Sequence, residues 1–200
     1  MISRTSSSVF LFFSRIFRLI FSPYKTMRSI AEDDDVVQLI LIIVSIGGYY
    51  YIADNLRQYF HHPIVLFGLT TLHFLLTVGF FVFLRMSTKN SSQVKIKPAL
   101  LLFGYALIPT LVWFLVNSWL FYLLPPPRTI SFLGKGFSIL YISFSLAILF
   151  WKVIVMYLAV RYVTRFTFFR IVYSMVLYLA CVITYSLFLY SLRLFRIPFL

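Results

Sequence analysis

Three groups of side chains in this 200-residue chain could do chemistry: the carboxylate run Glu32-Asp33-Asp34-Asp35, the histidines His61, His62 and His73, and the amine of Lys152. Four adjacent carboxylates could hold a hard cation through oxygen ligands. No second carboxylate cluster completes such a site, so the sequence favours acids that cap and complement the N-terminus of the following helix and stay solvated. His61 and His62 precede Pro63, and His73 lies inside an apolar run. A metal site would need further ligands, and no glutamate or second cysteine is available among the apolar runs to supply them. His73 is therefore expected to hydrogen-bond a neighbouring helix rather than handle ions or protons. A lysine at mid-bilayer costs about 2.5 to 3.5 kcal/mol, and Lys152 is expected to snorkel its amine toward the headgroups rather than serve as a buried functional cation. An acidic partner in another apolar run would argue for the buried cation, and the sequence has none. The single Cys181 sits in an apolar run as a small packing residue. There is no nucleophile with a base, no H-E-x-x-H, no phosphate-binding glycine loop and no pair of intramembrane acids. The expectation is no enzyme, no cofactor and no metal.

The elements that must position these residues follow from composition. Hydrophobic residues make up 62% of the chain and charged residues only 12%, more apolar surface than a soluble domain of this size can bury. The apolar residues fall in blocks separated by short stretches that hold nearly all the charge. Five blocks, 36–53, 63–84, 98–124, 136–160 and 171–192, match bilayer spans of about 20 residues per helix, the first short and the third long. The fold class expected is an all-α polytopic transmembrane bundle, its membrane domain running over 36–200 behind a cytoplasmic N-terminal segment, 1–35. The formal charge of +13 would suggest nucleic acid in a soluble protein; here membrane orientation explains it, and the lipid bilayer is the expected partner.

In the N-terminal segment, Arg15 and Arg18 interrupt the apolar core too early for a cleaved signal peptide. Arg15, Arg18, Ser22 and Lys25 recur at spacings of three and four, with Phe10, Phe13, Ile16, Phe17, Ile20 and Phe21 around the other side. That pattern predicts a basic amphipathic helix lying at the interface with its arginines toward anionic lipid, ended or bent at Pro23. Twelve lysines and arginines fall before the first span, between the second and third, and between the fourth and fifth; five fall on the other side, and Lys152 lies within a span. The positive-inside rule then puts the N-terminus in the cytoplasm and the C-terminus on the opposite side. Trp113, Trp119, Tyr122, Tyr49, Tyr50 and Tyr51 lie toward span ends, where interfacial anchoring accounts for them.

The third block contains a breaker. Pro109 has no N–H to offer the Tyr105 carbonyl, so a kink is predicted, and Gly104 lets another backbone come close. Ala106, Thr110, Trp113 and Asn117 follow at helical spacing as a small and polar stripe suited to helix packing. Gly104-Tyr105-Ala106-Leu107-Ile108-Pro109 resembles the G-Y-x-L-x-P motif of the Yip1 family of five-span membrane proteins. Phe21-Ser22-Pro23 is similar to the F-x-P segment that precedes the first span in its bacterial members. The resemblance covers most of the chain through the order of its elements and implies five helical spans with a cytosolic N-terminus. Eukaryotic members bind small GTPases and carry a longer N-terminal region with a D-L-Y-G-P element; the short lead and Phe21-Ser22-Pro23 fit a prokaryotic type.

The function expected is non-enzymatic: organising or recruiting protein partners at the cytoplasmic face, with Arg15, Arg18, Asp33, Asp34 and Asp35 as contact residues. The alternative is a small-solute transporter or channel component with a polar path near Pro109, Asn117, His73 and Lys152. The expected location is the plasma (inner) membrane of a prokaryote, or the endoplasmic reticulum or Golgi of a eukaryote.

Overall fold

The computed structural model describes residues 2–57, 62–88, 95–123 and 132–192. His61, Lys89, Ser91, Arg128, Arg193 and Arg196 lie outside these, as does the last residue of the predicted 98–124 span. The described residues form eight helical segments and no strand: α1 (Ile2–Phe21), α2 (Pro23–Ala31), α3 (Val36–Arg57), α4 (Pro63–Met86), α5 (Ile96–Tyr105), α6 (Ile108–Leu123), α7 (Phe132–Thr164) and α8 (Phe168–Ser191). Five stretches are long and apolar enough to cross a membrane: Val36–Asp54, Pro63–Met86, Ile96–Leu120, Gly134–Thr164 and Phe168–Ser191. They fall within a few residues of the five predicted blocks. The third combines α5 and α6 across a break at Ala106–Leu107, three residues before Pro109.

Local chemistry sets the boundaries. Pro23 opens α2, where its missing N–H would be unpaired in any residue, and Ser22 as N-cap separates α1 from α2. His62 caps α4 through Nδ1, which accepts from the Ile64 N–H at 3.4 Å, and Pro63 follows in the first turn. At the break in the third span the Leu107 N–H bonds the Gly104 carbonyl at 3.0 Å, a tightened turn. Pro109 thereby falls in the first turn of α6, where a proline does no harm. The α7–α8 connection turns on Arg165, whose φ of 54° is left-handed, and the buried Thr164 hydroxyl steadies it by accepting from the Phe166 N–H at 3.3 Å.

α3 is the central element and packs against α4, α5 and α6, while α7 packs against α2, α4, α5 and α6. The buried core is concentrated where α2 meets α5 and α7: Met27, Ile30, Ile42, Phe81, Phe103, Tyr105, Val155, Ala159 and Val160 are all nearly inaccessible. Phe81 stacks on Phe103 with ring centroids 5.4 Å apart. α8 packs chiefly on α7 and exposes Phe169, Tyr173, Val176, Leu187 and Phe188. In a chain whose solvent is hydrocarbon such residues need no protein cover, so α8 stands off from the bundle at little cost.

Candidate functional site

A polar clamp joins the N-terminal segment to the first and third spans. Ser8, Phe12, Arg15 and Leu19 recur at spacings of four, three and four along α1 and all face inward. Arg15 is only 7% exposed. Its Nη1 donates to Asp33 Oδ2 and to Gln38 Oε1, each at 2.7 Å, and its Nη2 reaches Ser29 Oγ at 3.4 Å. Gln38 lies in the first turn of α3 and is fully buried. Its oxygen also accepts from the Tyr105 hydroxyl at 2.6 Å, while its Nε2 donates to Asp35 Oδ2 at 3.0 Å and Asp33 Oδ2 at 3.4 Å. The amide thus uses both lone pairs and both protons, and its orientation is fixed, because only the oxygen can accept from Arg15. Phe12 lies against the Tyr105 ring at 6.2 Å.

The acidic run does different work residue by residue. Asp33 is the partner of Arg15; Asp35 Oδ1 caps α3 by accepting from the Val37 N–H at 3.0 Å; Glu32 and Asp34 are exposed. Burial would raise the Asp35 carboxyl, but bonds from Gln38, Ser8 and the Val37 amide, with the charge of Arg15, hold it below its ordinary value. Arg18 remains exposed, as do Phe10, Phe13, Phe17 and Phe21, the last at 84%. This corrects the expectation that Arg15 turns outward with Arg18 and that the whole acidic run is solvated. Helical spacing groups the two arginines on one side, but Asp33, Gln38 and Ser29 supply three acceptors inside, and Arg15 sits on the edge of the face nearest them.

Gly104 is the close-approach position of the same assembly. A Cβ there would lie 3.1 Å from Leu39 Cδ1 and 3.2 Å from Ile42 Cδ1, so α3 and α5 meet across it. Tyr105 sits about 12 Å along α5 from Lys97 at about 1.5 Å per residue, and its hydroxyl meets Gln38 in the first turn of α3.

A second constellation lies between α4, α5, α7 and α8. His73, Thr77, Phe103, Ala106, Leu107, Lys152, Met175 and Tyr178 contribute to an almost wholly apolar cavity of about 490 Å³. The Tyr178 hydroxyl meets Thr77 Oγ1 at 2.7 Å and His73 Nε2 at 3.3 Å, tying α8 to α4. The His73 ring lies parallel to Tyr185 at 6.1 Å. His73 is therefore bonded to a neighbouring helix, the role its position predicts. Lys152 does not reach the headgroups: its Nζ is buried and has no hydrogen-bond partner among the described residues. Snorkelling fails because the lysine, among the residues that line the cavity between α7 and α8, has its tip packed against the protein. Pro109 and Asn117 do not line this cavity, so the structure brings together two of the four residues of the anticipated polar path.

The aromatic expectation also divides. Tyr51, Trp119 and Tyr122 are exposed as interfacial anchors would be, whereas Tyr49 and Tyr50 are each 4% exposed. Tyr49 bonds Ser118 at 3.1 Å, Tyr50 bonds Thr70 at 2.7 Å, and Trp113 Nε1 donates to Ser145 at 3.1 Å. These three fasten spans to one another. Trp151 Nε1 similarly donates to the Leu19 carbonyl at 3.2 Å and pins α1 to α7.

Sequence reasoning missed Gln38, Thr77 and Tyr178. Gln38 was the one with a signal, a carboxamide alone in the otherwise apolar first turns of the first span. Among the described residues no group of three or more His, Cys, Asp or Glu could hold a metal ion. No protein-family model matches the chain, and no curated protein or solved structure is found to be similar to it.

Proposed function

We propose that this membrane-spanning helical protein is of the Yip1 type and acts without catalysis, organising or recruiting protein partners at the cytoplasmic end of its bundle. One observation carries the reading. Arg15 of α1, the helix that Phe21-Ser22-Pro23 connects to α2, is fastened to Gln38, and Gln38 accepts in turn from Tyr105 of the Gly104-Tyr105 segment. A lead held rigidly by buried charge-assisted bonds presents a fixed outer surface, here the aromatic row Phe10, Phe13, Phe17 and Phe21 beside Arg18 and Lys25. Exposed aromatics flanked by basic residues suit both an anionic lipid surface and a partner helix. The excess of lysine and arginine at this end supports a cytoplasmic N-terminus.

Photo-crosslinking residues placed at Phe13, Phe17 and, as control, Leu187 test the reading in native membranes. The expected outcome is protein adducts at Phe13 and Phe17 but not Leu187, lost when Arg15→Met with Asp33→Asn releases the lead. Absence of any adduct dependent on the lead or on loop 161–170 overturns it. The transport reading has His73 and Lys152 in one cavity in its favour; flux in proteoliposomes that disappears on replacing Asn117 or Lys152 would decide for it.

A further inference from the structure

The cavity between α4, α5, α7 and α8 combines three properties that no role at the cytoplasmic end explains. Its volume of about 490 Å³ is within the usual range for small-molecule sites. Its wall is almost wholly apolar, which suits an aliphatic chain and not a hydrophilic solute. Its one cationic residue, Lys152, has a buried amine without a hydrogen-bond partner among the described residues.

Among the described residues that amine has no counter-ion. The whole sequence holds five carboxylates, Glu32, Asp33, Asp34, Asp35 and Asp54, and none lines the cavity. Asp33 and Asp35 are engaged at the clamp, and Asp54 closes the opposite end of the first span. Held charged, such an amine needs a partner, and with no carboxylate of the described residues beside it that partner comes from outside. The way in is lateral. Leu149, Val153 and Ile154 of α7 and Val172, Val176 and Leu179 of α8 line the cavity yet are well exposed on the face that a bilayer would cover.

We propose that the cavity binds a single-chain anionic lipid, its aliphatic tail against Met175, Leu179 and Val153 and its anionic head paired with Lys152, whose flexible side chain turns its sealed amine to the cavity on binding. The Thr77 hydroxyl donates to the His73 carbonyl and the Tyr178 hydroxyl to Thr77, so Lys152 is the donor left for the head group. A carboxylate and a phosphate monoester share this chemistry, the first supplied by a free fatty acid and the second by a lysophospholipid.

The test uses the full chain in nanodiscs of zwitterionic lipid and a photoreactive palmitate, with oleate, oleoyl lysophosphatidate and oleyl alcohol as competitors. At least one of the two anions should compete about tenfold or more better than the alcohol, and the label should map to peptides of α7 and α8. Lys152→Met should bring that ratio to about one without loss of folding, since it removes a buried charge, and Lys152→Arg should preserve it. Val176→Trp, which narrows the cavity from the α8 side, should weaken all three competitors alike. Which anion competes better identifies the source. Equal competition by alcohol and anions, a preference that survives Lys152→Met, or labelling confined to other faces overturns the proposal.

Discussion

At the scale of single residues, the decisive group is Gln38. Its carboxamide is the point where a guanidinium from α1, a phenol from α5 and two carboxylates meet; three of the contacts run from 2.6 to 3.0 Å and the one to Asp33 is a weaker 3.4 Å. Removing one neutral donor should cost less than removing the cation. Tyr105→Phe should lower stability by about 1 kcal/mol, because Gln38 Oε1 keeps its bond from Arg15. Arg15→Met should lower it by about 2 to 4 kcal/mol, because the part-buried Asp33 carboxylate loses its counter-ion and Gln38 Oε1 loses one of its two donors. Unfolding midpoints of the purified protein in mild detergent check both, and equal losses would show that the cation is not the centre of the clamp. None of these partnerships was legible beforehand. Arg15 and Arg18 look alike in the sequence, and only the fold-back of Asp33 over α1 separates them.

At the scale of elements, the third span shows what a breaker does inside a membrane helix. The proline alone predicted a kink, and the structure divides the span into α5 and α6 with Pro109 in the first turn of the second. The chain uses the interruption to set Gly104 and Tyr105 against α3 while α6 carries Trp113 toward α7. Gly104→Ala should therefore be mild, since Leu39 and Ile42 meet the new methyl only with the ends of mobile side chains, shifting by a few tenths of an ångström. Gly104→Leu should part α3 from α5 and destabilise by about 1 to 3 kcal/mol or more. A thermal-shift series over Gly, Ala, Val and Leu at this position checks the steepness; a flat series would mean that the two helices do not meet there. The small stripe was readable from residue sizes and spacing, but its partner helix was not, because five apolar spans offer many equivalent faces.

At the scale of the whole molecule, the bundle is tight where α2 enters between α5 and α7 and loose where α8 stands away. Tyr24 links these ends of the chain: its carbonyl accepts from Tyr162 at 3.5 Å and Arg161 lies 5.9 Å over its ring, so the lead and the α7–α8 turn share one face. With the basic excess on that face, cysteines introduced at Thr167 and Ser91 in a Cys181→Ser background should be labelled only from the cytoplasm. A C-terminal tag should be reached only from the opposite side. Labelling of Thr167 from outside would reverse the threading.

The sequence by itself determined the solvent, the five apolar spans and the place where the third breaks. Hydropathy and helix breaking are properties of the chain read locally, and a bilayer leaves the backbone no alternative to helix. Only the tertiary structure decided that Arg15 turns inward, that Tyr49, Tyr50 and Trp113 join spans instead of anchoring them, and that Lys152 ends in a cavity. Each of those depends on how a helix is rotated about its axis. In hydrocarbon that rotation is set by small packing and hydrogen-bond differences between faces of similar composition, which no count along the sequence contains.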